Sequence, residues 1–162
     1  MGLVVSREAF RALRDTLAEE DRVAFTNGCF DLLHYGHVAL LTRARALGDC
    51  LVVGLNSDDS VKRLKGETRP VVPQALRAKA LAAMPMVDFV IIFDEDDPIE
   101  TIRAVRPAIH VKGGDWNAAE LPETPVVEAC GGSVVILPQV TQYTSTQIAD
   151  ARSKEAAPPC RS

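Results

Sequence analysis

The chain has 162 residues, 47% of them apolar and 25% charged, with a formal net charge of −4 at pH 7. This is the make-up of one ordinary globular domain, and it excludes collagen-like, low-complexity and wholly disordered chains. No apolar run approaches the roughly 20 residues that span a bilayer, and the acidic balance argues against nucleic-acid or anionic-membrane partners, which need a basic face.

Cys29, Cys50, Cys130 and Cys160 are scattered and form no C-x-x-C pair, so a zinc ribbon and a redox motif are both excluded. Arg7 and Glu8 interrupt the apolar start before a secretory segment can form, which points to a cytoplasmic location. Met1 to Ser6 match a loose N-myristoylation pattern, but no polybasic patch follows as a second anchor, so the match is read as coincidence.

Ser6 to Glu19 carries Phe10, Leu13 and Leu17 at helical spacing, with Ser6 as N-cap. Val23 to Thr26 reads as a strand that ends at the turn pair Asn27-Gly28. A helix is expected over His37 to Leu47, stopping at Gly48, and a doubly buried strand over Leu51 to Leu55. Helices follow over Ser57 to Leu64 and Pro73 to Ala83, which leaves Lys65 in a glycine-flanked loop. Val87 to Phe93 is a strand, Pro98 to Arg106 a helix, and Ile109 to Val111 a strand before Gly113-Gly114. Pro125 to Ala129 is a short helix, Val134 to Leu137 the last strand, and Thr144 to Arg152 the last helix. Strands alternating with helices imply βαβ units. The expected fold is α/β, a Rossmann-like three-layer α/β/α arrangement around a five-stranded, mostly parallel sheet. Residues 1–152 form one domain in this reading, and 153–162 a disordered tail.

In such sheets ligands bind beyond the carboxyl ends of the strands. The first strand-to-helix loop, Thr26 to His37, is neither G-x-G-x-x-G nor a P-loop. It carries His34 and His37 around Gly36 at the mouth of a helix, where free N–H groups and the dipole favour a phosphate. A metal site with Cys29 as third ligand is the competing reading of the pair, and a packing role is another.

The surrounding residues add a more specific signal. Asn27-Gly28, Phe30-Asp31 and His34-x-Gly36-His37 resemble the signature of the cytidylyltransferase-like nucleotidyltransferase superfamily. Arg63-Leu64-Lys65-Gly66, Arg69-Pro70-Val71, Arg77, Val87-Asp88, Lys112 to Trp116 and Thr144-Ser145-Thr146 follow in that superfamily's order. The whole, over about Arg22 to Arg152, is most similar to the adenylyltransferase domains of bacterial ADP-heptose synthases, in a form without the fused sugar kinase. Two departures stand out: Thr144 replaces a common serine, and Arg152 is the first basic residue after the Thr144 motif.

The resemblance implies direct, in-line transfer of AMP from ATP to a sugar 1-phosphate, with release of pyrophosphate. It assigns catalysis to His34, His37 and Lys65. It places Thr26, Asn27, Gly28, Cys29, Phe30, Gly36, Lys112, Gly113, Asp115, Thr144, Ser145 and Thr146 around the nucleotide. Asp31, Asn56, Arg63, Arg69, Arg77 and Trp116 would meet the sugar phosphate. Magnesium is expected to arrive with ATP rather than in a protein-built site, and a homodimer is expected. Residue by residue, plainer readings stand beside these. Lys65 also reads as a solvated lysine, Thr144 as an N-cap, Trp116 as a packing anchor, Asp31 as a turn residue, and Asp94 to Asp97 as a solvated loop. Two other functions fit the same signature: a cytidylyltransferase of glycerol 3-phosphate type, and a nucleotide-binding sensor without catalysis.

Overall fold

The structure is a computed structural model that describes residues 1–18 and 20–138. The helix expected at Thr144, its hydroxyl triad and the tail lie outside the described residues.

Among the described residues six parallel strands form one sheet in the order β1-β4-β3-β2-β5-β6. They are β1 (Leu3–Val5), β2 (Val23–Gly28), β3 (Cys50–Asn56), β4 (Phe89–Phe93), β5 (Ile109–Gly113) and β6 (Ser133–Leu137). Five strands were expected, and β1 is the sixth. Its three residues are too few for a periodic signal, and they take their register from β4, Leu3 opposite Phe89 and Val5 opposite Ile91. The opening apolar stretch is thus part of the sheet edge.

The helices are α1 (Arg7–Arg14), α2 (Tyr35–Arg45), α3 (Asp58–Lys65), α4 (Gln74–Ala82), α5 (Ile99–Val105) and α6 (Thr124–Ala129). They cover the sheet on both sides. Ala24, Leu41, Ala44, Leu51, Val53, Leu81 and Val111 belong to one apolar cluster, and Phe10, Phe25, Val52, Ile91, Ile102 and Val127 to the other. The central strands β2, β3 and β4 therefore send alternate side chains into two apolar cores. Gly54 is needed where the sheet is tightest, since a Cβ there would lie 2.8 Å from the Phe25 ring.

Two element ends differ from expectation in ways that matter for the site. Helix α2 starts at Tyr35 rather than His37, because the His34 side chain itself caps it. Helix α3 runs through Lys65, so this lysine is the last helical residue and not a loop residue. Ser57 caps α3 at one end, and Lys62, Arg63 and Lys65 complement the dipole at the other. Gly66 closes the helix at φ 96°, a conformation that favours glycine.

The connections from β2 to β3 and from β3 to β4 run toward one edge. The connection from β4 to β5 returns to the other side of β2. The order reverses between β2 and β5, and loops leaving neighbouring strands in opposite directions open a crevice at their carboxyl ends.

Candidate active site

The switch point brings the loop after β2 and the loop after β5 to one end of the sheet. The first carries both histidines. His34 Nδ1 accepts the Gly36 amide at 3.1 Å, and His37 Nδ1 accepts the His34 amide at 3.4 Å. This reciprocal capping box satisfies helix-start donors and fixes both imidazoles. The ring centroids lie 3.9 Å apart. An Nδ1 that accepts leaves the proton of a neutral imidazole on Nε2, so each ring keeps an Nε2–H donor free of the cap.

Burial, then the neighbouring His34 and Lys65, push the His37 imidazole down to about 4. Burial also lowers His34. The pair is therefore neutral at pH 7, and Lys65 is a cation that acts on it. It is exposed, it acts electrostatically on both His37 and Cys29, and among the described residues it has no hydrogen-bond or ion-pair partner.

Phe30 supports His37 from below, with ring centroids 5.2 Å apart. It is almost fully buried at a left-handed φ of 43°, and a Cβ on Gly28 would sit 3.3 Å from its ring. A non-glycine residue held there marks a backbone position the surroundings dictate. Asp31, also buried, ties this loop to the segment after α3. It accepts the amides of Val71 and Val72 at 2.9 Å and Arg69 Nε at 2.7 Å. Burial alone would raise its carboxyl, but those two amides and Arg69 outweigh it and hold the group below the usual range.

The other expected sugar-phosphate residues fall into two groups. Arg77 is 1% exposed and spends its guanidinium on the carbonyls of Val72, Cys29 and Asn56 and on Asp58 Oδ1. Asn56 is buried and donates to Ser60 Oγ at 3.0 Å. Both brace the loop ends from beneath. Arg63 turns toward β4, pairing with Asp96 at 2.8 Å. There, with Ser6, Arg7, Asp94 and Glu95, it lines an open pocket of about 640 Å³ that none of the histidine-loop residues enters. The acidic run after β4 thus engages Arg7 and Arg63.

On the β5 side, Gly113 packs against α2, Gly114 takes φ 120°, and Trp116 is largely exposed beside Gly114. Lys112 Nζ lies 2.6 Å from Glu123. Thr26 is buried within β2, Cys29 is half-buried with its thiol pushed up by burial, and Asp115 is exposed. Two residues of this region escaped the sequence reading. His110 is fully buried, and its Nε2 lies 3.3 Å from Asn27 Oδ1. Burial and then Lys112 push His110 down to about 3. A polar residue inside an otherwise apolar parallel strand was the signal for it. Glu123, in a proline-flanked turn, gave none. Among the described residues no group of three or more His, Cys, Asp and Glu gathers as metal ligands, and no helix is long and apolar enough to cross a membrane.

The profile of the cytidylyltransferase-like family matches residues 25–141. The chain belongs to the cytidylyltransferase-like family. That membership makes it an enzyme of the nucleotidyltransferase class, and it covers both loops of the switch point. A "Bifunctional protein HldE" from Bradyrhizobium sp. (strain ORS 278) is 47% identical over 91% of this chain and 33% of its own length. A protein of the same name from Geobacter sulfurreducens is 51% identical over 81% of this chain and 27% of its own. The chain thus spans only between about a quarter and a third of the length of these relatives. Among solved structures, a lipopolysaccharide core biosynthesis protein from Thermoplasma volcanium GSS1 is 29% identical at a TM-score of 0.62. The match covers 76% of this chain and 99% of that one. A pantoate-beta-alanine ligase from Francisella tularensis shares the fold at 12% identity, with a TM-score of 0.60 over 94% of this chain and 77% of its own.

Proposed function

We propose that this family member transfers the AMP moiety of ATP to D-glycero-D-manno-heptose 1-phosphate, giving ADP-heptose and pyrophosphate for a surface glycan such as lipopolysaccharide. The observation that carries the reading is the capped histidine pair, with two Nε2–H donors at the switch point beside a lysine that is unpaired among the described residues. The resemblance in the Arg63 to Val71 and Lys112 to Trp116 segments, and the relatives named HldE, favour the heptose substrate.

A sugar-phosphate oxygen, already anionic, attacks the α-phosphorus. The bond from that phosphorus to the bridging oxygen breaks in line, and the electron pair leaves on pyrophosphate. No base is needed, so the protein's work is positioning and charge stabilisation. His34 and His37 donate from Nε2 to α- and β-phosphoryl oxygens as charge moves onto the leaving group, and Lys65 provides the compensating charge. ATP enters as its magnesium complex. Asp31 and Asp58 are committed to Arg69 and to Arg77 respectively, which fits a metal that rides on the triphosphate. Gly113 and Gly114 let the nucleotide approach the backbone, and Thr144, Ser145 and Thr146 are proposed to meet the β- and γ-phosphates. A cytoplasmic homodimer is proposed as the working form.

Pyrophosphate release from ATP and from CTP, each with heptose 1-phosphate and with glycerol 3-phosphate, tests the reading. Release only from ATP with the heptose is expected. Release from CTP with glycerol 3-phosphate would move the chain to the glycerol 3-phosphate type, and nucleotide binding with no release at all would make it a sensor.

A further inference from the structure

Lys112 and Glu123 form a buried ion pair at the far side of the switch point from the histidine loop. Its place in the fold follows from strand parity. Gly113 faces α2 so closely that a Cβ would lie 3.2 Å from Leu40. Lys112, one residue earlier on β5, therefore projects to the opposite face, the one shared with His110. There its Nζ lies 2.6 Å from Glu123 Oε1, and the side chains are only 17% and 5% exposed. The second carboxylate oxygen, Oε2, is buried and has no hydrogen-bond partner among the described residues. Drawing the ammonium out toward a triphosphate would leave a buried carboxylate uncompensated, one of the most unfavourable changes a protein interior can undergo.

The two residues also sit at the two ends of one loop. Gly114 N–H reaches Leu137 O at 3.0 Å, Asn117 caps the helical turn Ala118–Glu120, and Leu121 is buried. The Thr124 hydroxyl donates to the Ala118 carbonyl. The ion pair closes this self-bonded segment at its base, next in the chain to Gly113 to Trp116.

We propose that Glu123 is a positioning residue. It holds Lys112 as a strut under the Gly113 to Trp116 loop, so that Lys112 supports the nucleotide through the backbone of that loop and not by touching phosphate. The proposal rests on the reading of this loop as nucleotide-facing. It also leaves Lys65 as the cation that meets the triphosphate.

The test is a cycle of Lys112→Met, Glu123→Leu and the double variant, read in two ways. Trp116 is the chain's single tryptophan, so its emission reports on the loop without any ligand. Acrylamide quenching of Trp116 is expected to rise in each single variant and to return toward the wild-type value in the double. An apolar pair replaces a buried ion pair well, whereas a lone buried charge does not. The Kd for MgATP is expected to weaken by roughly tenfold in each single variant, the scale on which losing a supporting side chain acts. It should recover in the double. If Lys112 touches phosphate, Lys112→Met and the double variant bind equally poorly while Glu123→Leu binds as well as wild type or better, and the proposal falls. Unchanged quenching in both single variants overturns it too. A wild type that ignores MgATP would defeat the nucleotide reading alone, since quenching still decides the role of Glu123 in the loop. If a single variant fails to fold, the melting curve and quenching of the double against wild type decide. A double variant that melts and quenches like wild type supports the strut, and one that is also unfolded or loosened overturns it.

Discussion

Arg69 donates from Nε to Asp31 Oδ2 at 2.7 Å, and through this pair the segment following α3 is fastened to the histidine loop. Both side chains are nearly inaccessible to water. Asp31→Asn keeps the shape but removes the charge that Arg69 faces and weakens two amide hydrogen bonds. Leaving a buried charge without its partner costs about 3–5 kcal/mol. A large fall in Tm is expected by thermal melting, with a loss of turnover beyond the unfolded fraction because the loop carrying His34 and His37 loosens. A variant that melts like wild type would mean that the two segments are held some other way.

His37→Ala and His34→Ala are expected to lower kcat by about 10²–10³, the typical loss of one transition-state donor, with a much smaller change in KM. Because the histidines also cap α2, the alanine variants are to be compared with His34→Asn at the N-cap and His37→Gln at N3, which keep a capping side chain. Recovery of stability without recovery of rate in these two variants separates capping from catalysis. Wild-type turnover in the folded alanine variants would reduce the pair to a helix cap.

How much of this was legible beforehand varies by residue. The alternation of strands and helices gave the layered fold, and the His34-x-Gly36-His37 spacing pointed to the loop that the structure sets at the switch point, because both depend on local pattern. Strand β1 was not legible, since three residues carry no period and their pairing with β4 is a tertiary fact. Arg77 shows the same limit. Its place in the motif order suggested a ligand contact, yet the fold turns it inward onto three carbonyls and Asp58. Lys65 was read as a loop residue because the helical pattern of α3 fades after Leu64. The Ser57 cap and Gly66 carry the helix one residue further.

Lys65→Ala is expected to leave Tm nearly unchanged, within the roughly 0.5 kcal/mol usual for exposed positions. The single-turnover rate should fall sharply if, as proposed, this lysine brings the charge that two neutral histidines lack. Lys65→Arg keeps charge but not shape and should restore only part of the rate. A full rate in Lys65→Ala would shift the role to another cation.

Acid should destabilise the fold in a defined window. An unfolded histidine takes up its proton near pH 6.5, whereas folded His37 waits until about 4 and folded His110 until about 3. Between those limits the unfolded chain binds more protons, so stability falls as pH drops from about 6.5 toward 3–4. Denaturant titrations across that range should show a shallower loss in His110→Leu than in wild type. An unchanged slope would mean that His110 is not held neutral in the folded chain.

The most direct test of nucleotidyl transfer follows the phosphorus itself. ATP labelled at either the α- or the γ-phosphate is incubated with magnesium, heptose 1-phosphate and the protein, and the products are separated. Attack at the α-phosphorus puts the α-label in the nucleotide sugar and the γ-label in pyrophosphate. A γ-label that appears on the sugar, or a sugar that stays unlabelled in both reactions while the protein is folded and binds ATP, would contradict the account.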